Sequence, residues 1–280
     1  MNSDKLKSLI REKSNGNNDL SLNLFQMFYF ERLLERISKS KYNGQIILKG
    51  GLLLNSIIGS NDRTTKDMDT TLKGVPLTKE NIEKIFNEII NINLDDNVSF
   101  EIIGVKDIRL EDKYSGFRLN ILSKLDKNKT YITVEITTGD VITPKEMKYS
   151  YKCIFEDKTI PIMAYTCETV LSEKFQTIIS RGILNTRLKD FYDIYTLMNN
   201  KFKSDTLIKA IKNTFTKRNT LLDIKEFYTI LNELKESKEM NKLWIEYQNK
   251  NRYAENIKYI DTIEAIEKII KILEEELIII

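Results

Sequence analysis

Histidine is absent from the 280 residues. That excludes Ser-His-Asp and Cys-His mechanisms and zinc centres built on imidazole. Acid–base or metal chemistry must run on carboxylates, lysine or tyrosine, and hard oxygen donors favour Mg²⁺ over Zn²⁺. Cys153 and Cys167 are the only cysteines and show no metal-type spacing. Two lone thiols suit a reducing cytoplasm better than a disulfide scaffold. No apolar run approaches membrane-spanning length, and the polar start "MNSDKLKSLIREKSNGNN" lacks a secretory apolar core. The expectation is a cytoplasmic protein with no membrane partner, its apolar tail "EEELIII" being a docked helix end. The net charge of +3 permits a nucleic-acid partner without arguing for one.

Glycine is also scarce, yet four of the ten glycines fall between Lys49 and Gly74, in "KGGLLLNSIIGSNDRTTKDMDTTLKG". The surrounding periodicity places this stretch in a sheet. Residues 21–40 carry apolar groups at helical spacing, "QIILKG" reads as a buried strand, "GGLLLNSIIG" as a short helix closed by Gly59, and "DMDTTLKG" alternates as a strand. A helix capped by Thr78 follows, then strand-like runs in "NVSFEIIGV", "GFRLNILSKL", "KTYITVEITTGD" and "YSYKCIFED". From about Thr166 the pattern turns helical: "TCETVLSEKFQTIISRG", "TRLKDFYDIYTLMNNK", "SDTLIKAIKNTFTKR", the long run 223–251, and "AENIKYIDTIEAIEKIIKILEEEL". The chain reads as an α+β half, residues 1–160, and an all-helical half, residues 161–280, divided near Pro161 and sharing one cleft.

Paired glycines between a strand and a helix let backbone approach a ligand closely and expose N–H donors at the helix start, an arrangement suited to phosphate. Asp67 and Asp69 stand two apart on the next strand and share a face. In a cleft, their mutual repulsion calls for a divalent cation, and two Mg²⁺ held by such a pair suit phosphoryl or nucleotidyl transfer. A third carboxylate has to come from a neighbouring strand. Glu135 in "YITVEITTGD" is the first choice, because a mid-strand charge is costly unless paired, and Asp140 at the strand end is the second.

"LKGGLLLNSIIGSNDRTTKDMD" resembles the signature of the AbiEii/AbiGii-type nucleotidyltransferase toxins, a branch of the DNA polymerase β-like superfamily. The matching residues are Lys49, Gly50, Gly51, Arg63, Thr65, Asp67 and Asp69. A second block, "YTCETVLSEKFQTIISRGILNTRLKDFYDIY", supplies the family's Glu-Lys and Arg-x-Lys-Asp-x-x-Asp at Glu173, Lys174, Arg187, Lys189, Asp190 and Asp193. Leu52 stands where the family often carries a hydroxyl, and Glu135 where it usually has Asp. The resemblance implies a polymerase β-like mixed sheet with flanking helices, followed by an all-helical C-terminal domain. It further implies that Asp67 and Asp69 bind Mg²⁺ and the nucleotide, and that Gly50, Gly51 and Thr65 hold the triphosphate. Lys174 would neutralise phosphate, and Asp193, more than Asp190, would be needed for activity. Arg187 and Lys189 join the substrate-binding set. Arg63 grips phosphate or pairs with a carboxylate.

The same resemblance implies a toxin of a toxin–antitoxin or phage-abortive system. Its substrate would be a nucleoside triphosphate and its acceptor an RNA, the tRNA 3′ end foremost, so that translation and growth stop. A cognate antitoxin would act without a stable complex. The run Lys201 to Arg218, with six basic residues against one acid, offers a modest RNA-docking face. The alternatives are nucleotidylation of a protein target, or a non-catalytic nucleotide- or RNA-binding module on the same scaffold.

Overall fold

The computed structural model describes residues 1–59, 63–109 and 115–278. The chain divides into two compact units: Met1–Asp140 with Glu146–Tyr165, and Val141–Lys145 with Thr166–Ile280.

The first unit is built on α1 (Ser3–Ser14), α2 (Asn18–Lys39), β1 (Ile46–Leu48), α3 (Gly50–Ile58), β2 (Asp67–Leu72), α4 (Lys79–Ile90), β3 (Val98–Arg109), β4 (Ser115–Leu125), β5 (Asn128–Thr137), β6 (Met147–Lys152) and β7 (Thr159–Ala164). The seven strands form one mixed sheet in the order β3-β4-β5-β2-β1-β7-β6. β1 runs antiparallel to β2 and parallel to β7, and β2 runs parallel to β5. One face is dry: Leu119, Ile121, Ile132, Val134 and Met68 are buried, as are Met27, Phe28 and Phe30 of α2 and Ile82 and Phe86 of α4. Tyr29 of α2 meets the Phe100 ring of β3 edge-on, centroids 6.4 Å apart, which fixes that helix on this face. The alternation along β2 and β5 therefore sends Asp67, Asp69 and Glu135 to the opposite face.

Two elements depart from the sequence reading. The polar N-terminus forms α1, capped by Asn2, whose buried apolar side chains are Leu6 and Ile10. Pro161, read as a boundary loop, lies inside β7. β1 pairs only with Met163 and Ala164 of that strand, so at Pro161 one edge of β7 has no sheet partner and a missing N–H is tolerated.

The second unit is helical: α5 (Cys167–Arg181), α6 (Leu188–Met198), α7 (Ser204–Lys217), α8 (Ile224–Glu236), α9 (Lys238–Lys250) and α10 (Tyr259–Ile278). Phe175, Phe215 and Phe227 form its aromatic centre, with ring centroids 5.5–5.8 Å apart. The run 223–251 is two helices, because Ser237 ends α8 and its hydroxyl caps α9 by accepting from Met240 N–H at 3.2 Å. Phe215 is fully buried in this core. The last two residues of the apolar tail lie outside the described residues. No helix among the described residues is long and apolar enough to cross a membrane.

Candidate active site

β1 ends at Leu48, and the chain turns at once into α3 through Lys49, Gly50 and Gly51. The turn is tied to β2 by Lys49 N–H donating to the Asp69 carbonyl at 3.0 Å. Gly50 has φ +63°, a conformation only glycine takes without strain. Space is the second constraint. A Cβ on Gly50 would lie 1.8 Å from Asp69 Oδ2, and one on Gly51 would lie 2.5 Å from Thr65 Oγ1. The diglycine exists so that the Asp69 carboxylate can lie against the first turn of α3. Gly51 N–H accordingly points to Asp69 Oδ2, at 3.3 Å.

The carboxylates gather as the sheet register dictates. β2 and β5 are parallel neighbours with Asp69 directly opposite Glu135 and Asp67 opposite Thr133. Each of Asp67, Asp69 and Glu135 offers an oxygen within 4.8 Å of the others, and all three are half-buried. Burial first, then the charges of Asp67 and Glu135, push the Asp69 carboxyl up to about 6, against Lys49 and the Gly51 N–H, which act the other way. Three carboxylates this close, with oxygen donors only and their charge only partly offset by Lys49 and by Arg118 of β4, fit a hard divalent cation.

The surrounding groups hold this arrangement. Thr65 Oγ1 donates to Asp67 Oδ1 at 3.0 Å. Arg63 is fully buried, and its Nη1 donates to the Gly51 carbonyl at 2.9 Å, bracing the α3 turn from behind. The Asn55 amide donates to the Arg63 carbonyl, closing the loop between α3 and β2. Leu52 is fully buried, pointing the position after the diglycine into the core.

Asp140, the second choice for a third carboxylate, is engaged elsewhere. It accepts from Lys49 Nζ, Tyr165 OH at 3.1 Å, Thr137 Oγ1 at 3.2 Å and Thr71 Oγ1 at 3.3 Å. Burial works against its charge, but Lys49 and these donors outweigh it and hold the carboxyl below its ordinary value.

In the helical unit, Lys174 of α5 bridges Asp190 Oδ1 at 2.6 Å and Asp193 Oδ2 at 2.7 Å. The two aspartates share one face of α6, three residues apart. Asp193 is fully buried, and Arg187 Nε stands 3.5 Å from Asp190 Oδ2. Burial opposes the Lys174 charge, but Asp193 and Asp190 together raise its affinity for the proton. Lys189 is half-buried beside them on α6.

Comparison with protein-family models matches residues 32–269 to the nucleotidyl transferase AbiEii toxin of type IV toxin–antitoxin systems. The chain belongs to that family. Among solved structures, JHP933 from Helicobacter pylori matches with TM-score 0.47 and 12% identity, over 91% of this chain and 94% of its own. An antigenic nucleotidyltransferase-like protein from Paracoccidioides brasiliensis matches with TM-score 0.37 and 14% identity, over 83% of this chain and 94% of its own. Comparison with curated proteins returned no match.

Two groups of this AbiEii chain escaped the sequence reading. Arg118 of β4 faces Glu135 across the β4–β5 pair and donates to its Oε1 from Nη2 at 2.5 Å and Nε at 3.0 Å. Only the register brings it there. Lys49 was visible as the residue before the diglycine, but its pairing with Asp140, 91 residues away, needs the fold.

Proposed function

We propose that this AbiEii-family protein is a Mg²⁺-dependent nucleotidyltransferase toxin that moves a nucleotide from a nucleoside triphosphate to an RNA 3′ end, with tRNA as the foremost acceptor. The observation that carries this reading is the convergence of Asp67, Asp69 and Glu135 within 4.8 Å, on a strand face beside the diglycine start of α3. Magnesium held by these three carboxylates would supply the positive charge that a triphosphate needs for displacement of pyrophosphate.

The chain's own residues divide the remaining work. Asp67, Asp69 and Glu135 hold the cation, with Thr65 orienting Asp67 and Gly51 N–H orienting Asp69. Lys49 offsets the charge of the acidic cluster from beneath the turn. Glu135 lies at the side of the cluster nearer Arg118 and is the group assigned to accept the acceptor hydroxyl's proton. In the transfer, the hydroxyl oxygen bonds to the α-phosphorus as the bond to pyrophosphate breaks. From the helical unit, Lys174, set by Asp190 and Asp193, is assigned to phosphate, with Arg187 and Lys189 as further substrate-binding groups. Arg63 serves the turn, through the Gly51 carbonyl.

The test incubates the protein with Mg²⁺, each α-labelled nucleoside triphosphate and total cell RNA. Label on RNA is the expected result. Label only on protein transfers the reading to nucleotidylation of a protein target. Nucleotide binding without label leaves a non-catalytic module.

A further inference from the structure

One face of the β3-β4-β5 ribbon is packed beneath α2 and α4, and the other is open. The open face is the one that carries the carboxylates. Strand register sets its rows: Asp69, Glu135, Arg118 and Lys106 stand opposite one another across β2, β5, β4 and β3. Four residues along β5 from Glu135, about 13 Å at strand rise, lies Tyr131, which is 64% exposed. Lys129 follows on the same face, opposite Lys124 of β4.

The Tyr131 ring stands on the same sheet face as the carboxylates, with Thr133 between it and Glu135 along β5. Across β3, β4 and β5 this face carries Arg118, Lys106, Lys124 and Lys129 against Glu101 and Glu135, an excess of positive charge that runs up to the acidic row of Asp67 and Asp69; Lys124 pairs with Glu101 at 2.8 Å. Glu135 is the carboxylate that Arg118 holds, and the Arg118 side chain is half exposed.

We propose that this open face is the acceptor platform, and that its occupant is the single-stranded 3′ end of an RNA. Unpaired bases stack on exposed aromatic rings, whereas a duplex hides its base faces. Tyr131 stacks a base upstream of the 3′ terminus. Lys129 and Lys106 attract backbone phosphates, and Arg118 holds the phosphate nearest the reacting hydroxyl, next to Glu135. The charge complementarity, the exposed ring and the continuity with the carboxylate row all point to the same ligand. The inference rests on the transferase reading for its 3′ polarity, but the binding surface is testable without turnover.

The experiment measures anisotropy of a short fluorescent single-stranded oligoribonucleotide with the full chain, alongside a blunt duplex of the same sequence. Tyr131→Ala is expected to weaken single-strand binding about tenfold, within the range for base–aromatic stacking. Tyr131→Phe is expected to keep the affinity, because it keeps the ring. Replacing both Lys106 and Lys129 by alanine should flatten the log–log salt dependence by about 1.4, two single-strand phosphate contacts. Binding of Mg²⁺–nucleotide should be unaltered in these variants. Unchanged RNA affinity in Tyr131→Ala, or a preference for the duplex, overturns the proposal. RNA labelled normally by Tyr131→Ala leaves the transferase standing and removes the platform. RNA bound through Tyr131 but never labelled leaves the platform standing and removes the transferase.

Discussion

Gly50→Ala is the sharpest perturbation of the turn. At this position a methyl group meets two separate obstacles. The first is backbone: φ +63° costs an alanine about 1–2 kcal/mol relative to glycine. The second is the side chain opposite, since the new carbon would lie 1.8 Å from Asp69 Oδ2, 2.5 Å from its Cγ and 2.6 Å from its Cβ. No adjustment of a few tenths of an ångström clears three atoms at those distances, so Asp69 has to rotate out of the cluster. Gly74→Ala separates the two effects, because Gly74 has φ +75° and nothing within 4 Å of an added methyl. Gly74→Ala should lower the thermal midpoint by roughly 2–8 °C, the backbone strain spread over a unit of this size. Gly50→Ala should lower it by at least as much and also abolish metal-dependent nucleotide binding and transfer. The assay pairs differential scanning fluorimetry, with and without Mg²⁺–nucleotide, with the labelled-nucleotide transfer reaction. Equal behaviour of the two variants in both readouts would refute the argument that the diglycine makes room for Asp69.

Three further outcomes follow from the same geometry. The Asp69 carboxyl, raised from 3.8 to about 6 chiefly by burial, keeps its proton to unusually high pH, so a cation must displace that proton. Metal affinity should fall about tenfold per pH unit below about pH 6, and a pH-independent affinity from pH 5 to pH 7, measured by Mn²⁺ titration, would refute this. Glu31, fully buried on α2, has its carboxyl pushed from 4.5 up to about 8, mainly by burial and against the Ile154 N–H and Arg32. The folded chain retains a proton that the unfolded chain releases, so stability declines as pH rises from about 4.5 to about 8 and levels off above. Glu31→Gln should remove that slope, on the order of 4 kcal/mol at its upper end, and parallel pH–stability curves for the two proteins would contradict it. Lys174→Met leaves Asp190 and Asp193 buried without their shared cation and should destabilise the helical unit by about 3–5 kcal/mol. Adding Asp190→Asn and Asp193→Asn should restore the fold by urea titration without restoring transfer; recovery of transfer would remove all three from the mechanism.

The carboxylate pair was legible because strand periodicity is local: Asp67 and Asp69 share a face whatever the sheet around them. Glu135 was legible for an energetic reason, a charge in mid-strand needing a partner, although its position opposite Asp69 depends on a parallel pairing across 66 residues of sequence. The diglycine was visible as a close approach, but its neighbour was not. The sequence suggests phosphate, and the fold places the Asp69 side chain there, with Gly51 N–H already turned toward it. Arg118 and the Lys49–Asp140 pair depend on register and on contacts distant in sequence, which periodicity cannot supply. α1 was missed because only two apolar side chains anchor an otherwise polar helix, and β7 because Pro161 argues against a strand unless the pairing on each edge is known.

In the proposed mechanism Asp67, Asp69 and Glu135 together hold a divalent cation for nucleotide transfer. Titration with Mn²⁺ followed by electron paramagnetic resonance, in the presence of a non-hydrolysable nucleoside triphosphate, tests it most directly. Saturable binding by the native chain, lost in Asp69→Asn while that variant remains folded, is the expected result. Undiminished Mn²⁺ binding by folded Asp69→Asn would contradict it.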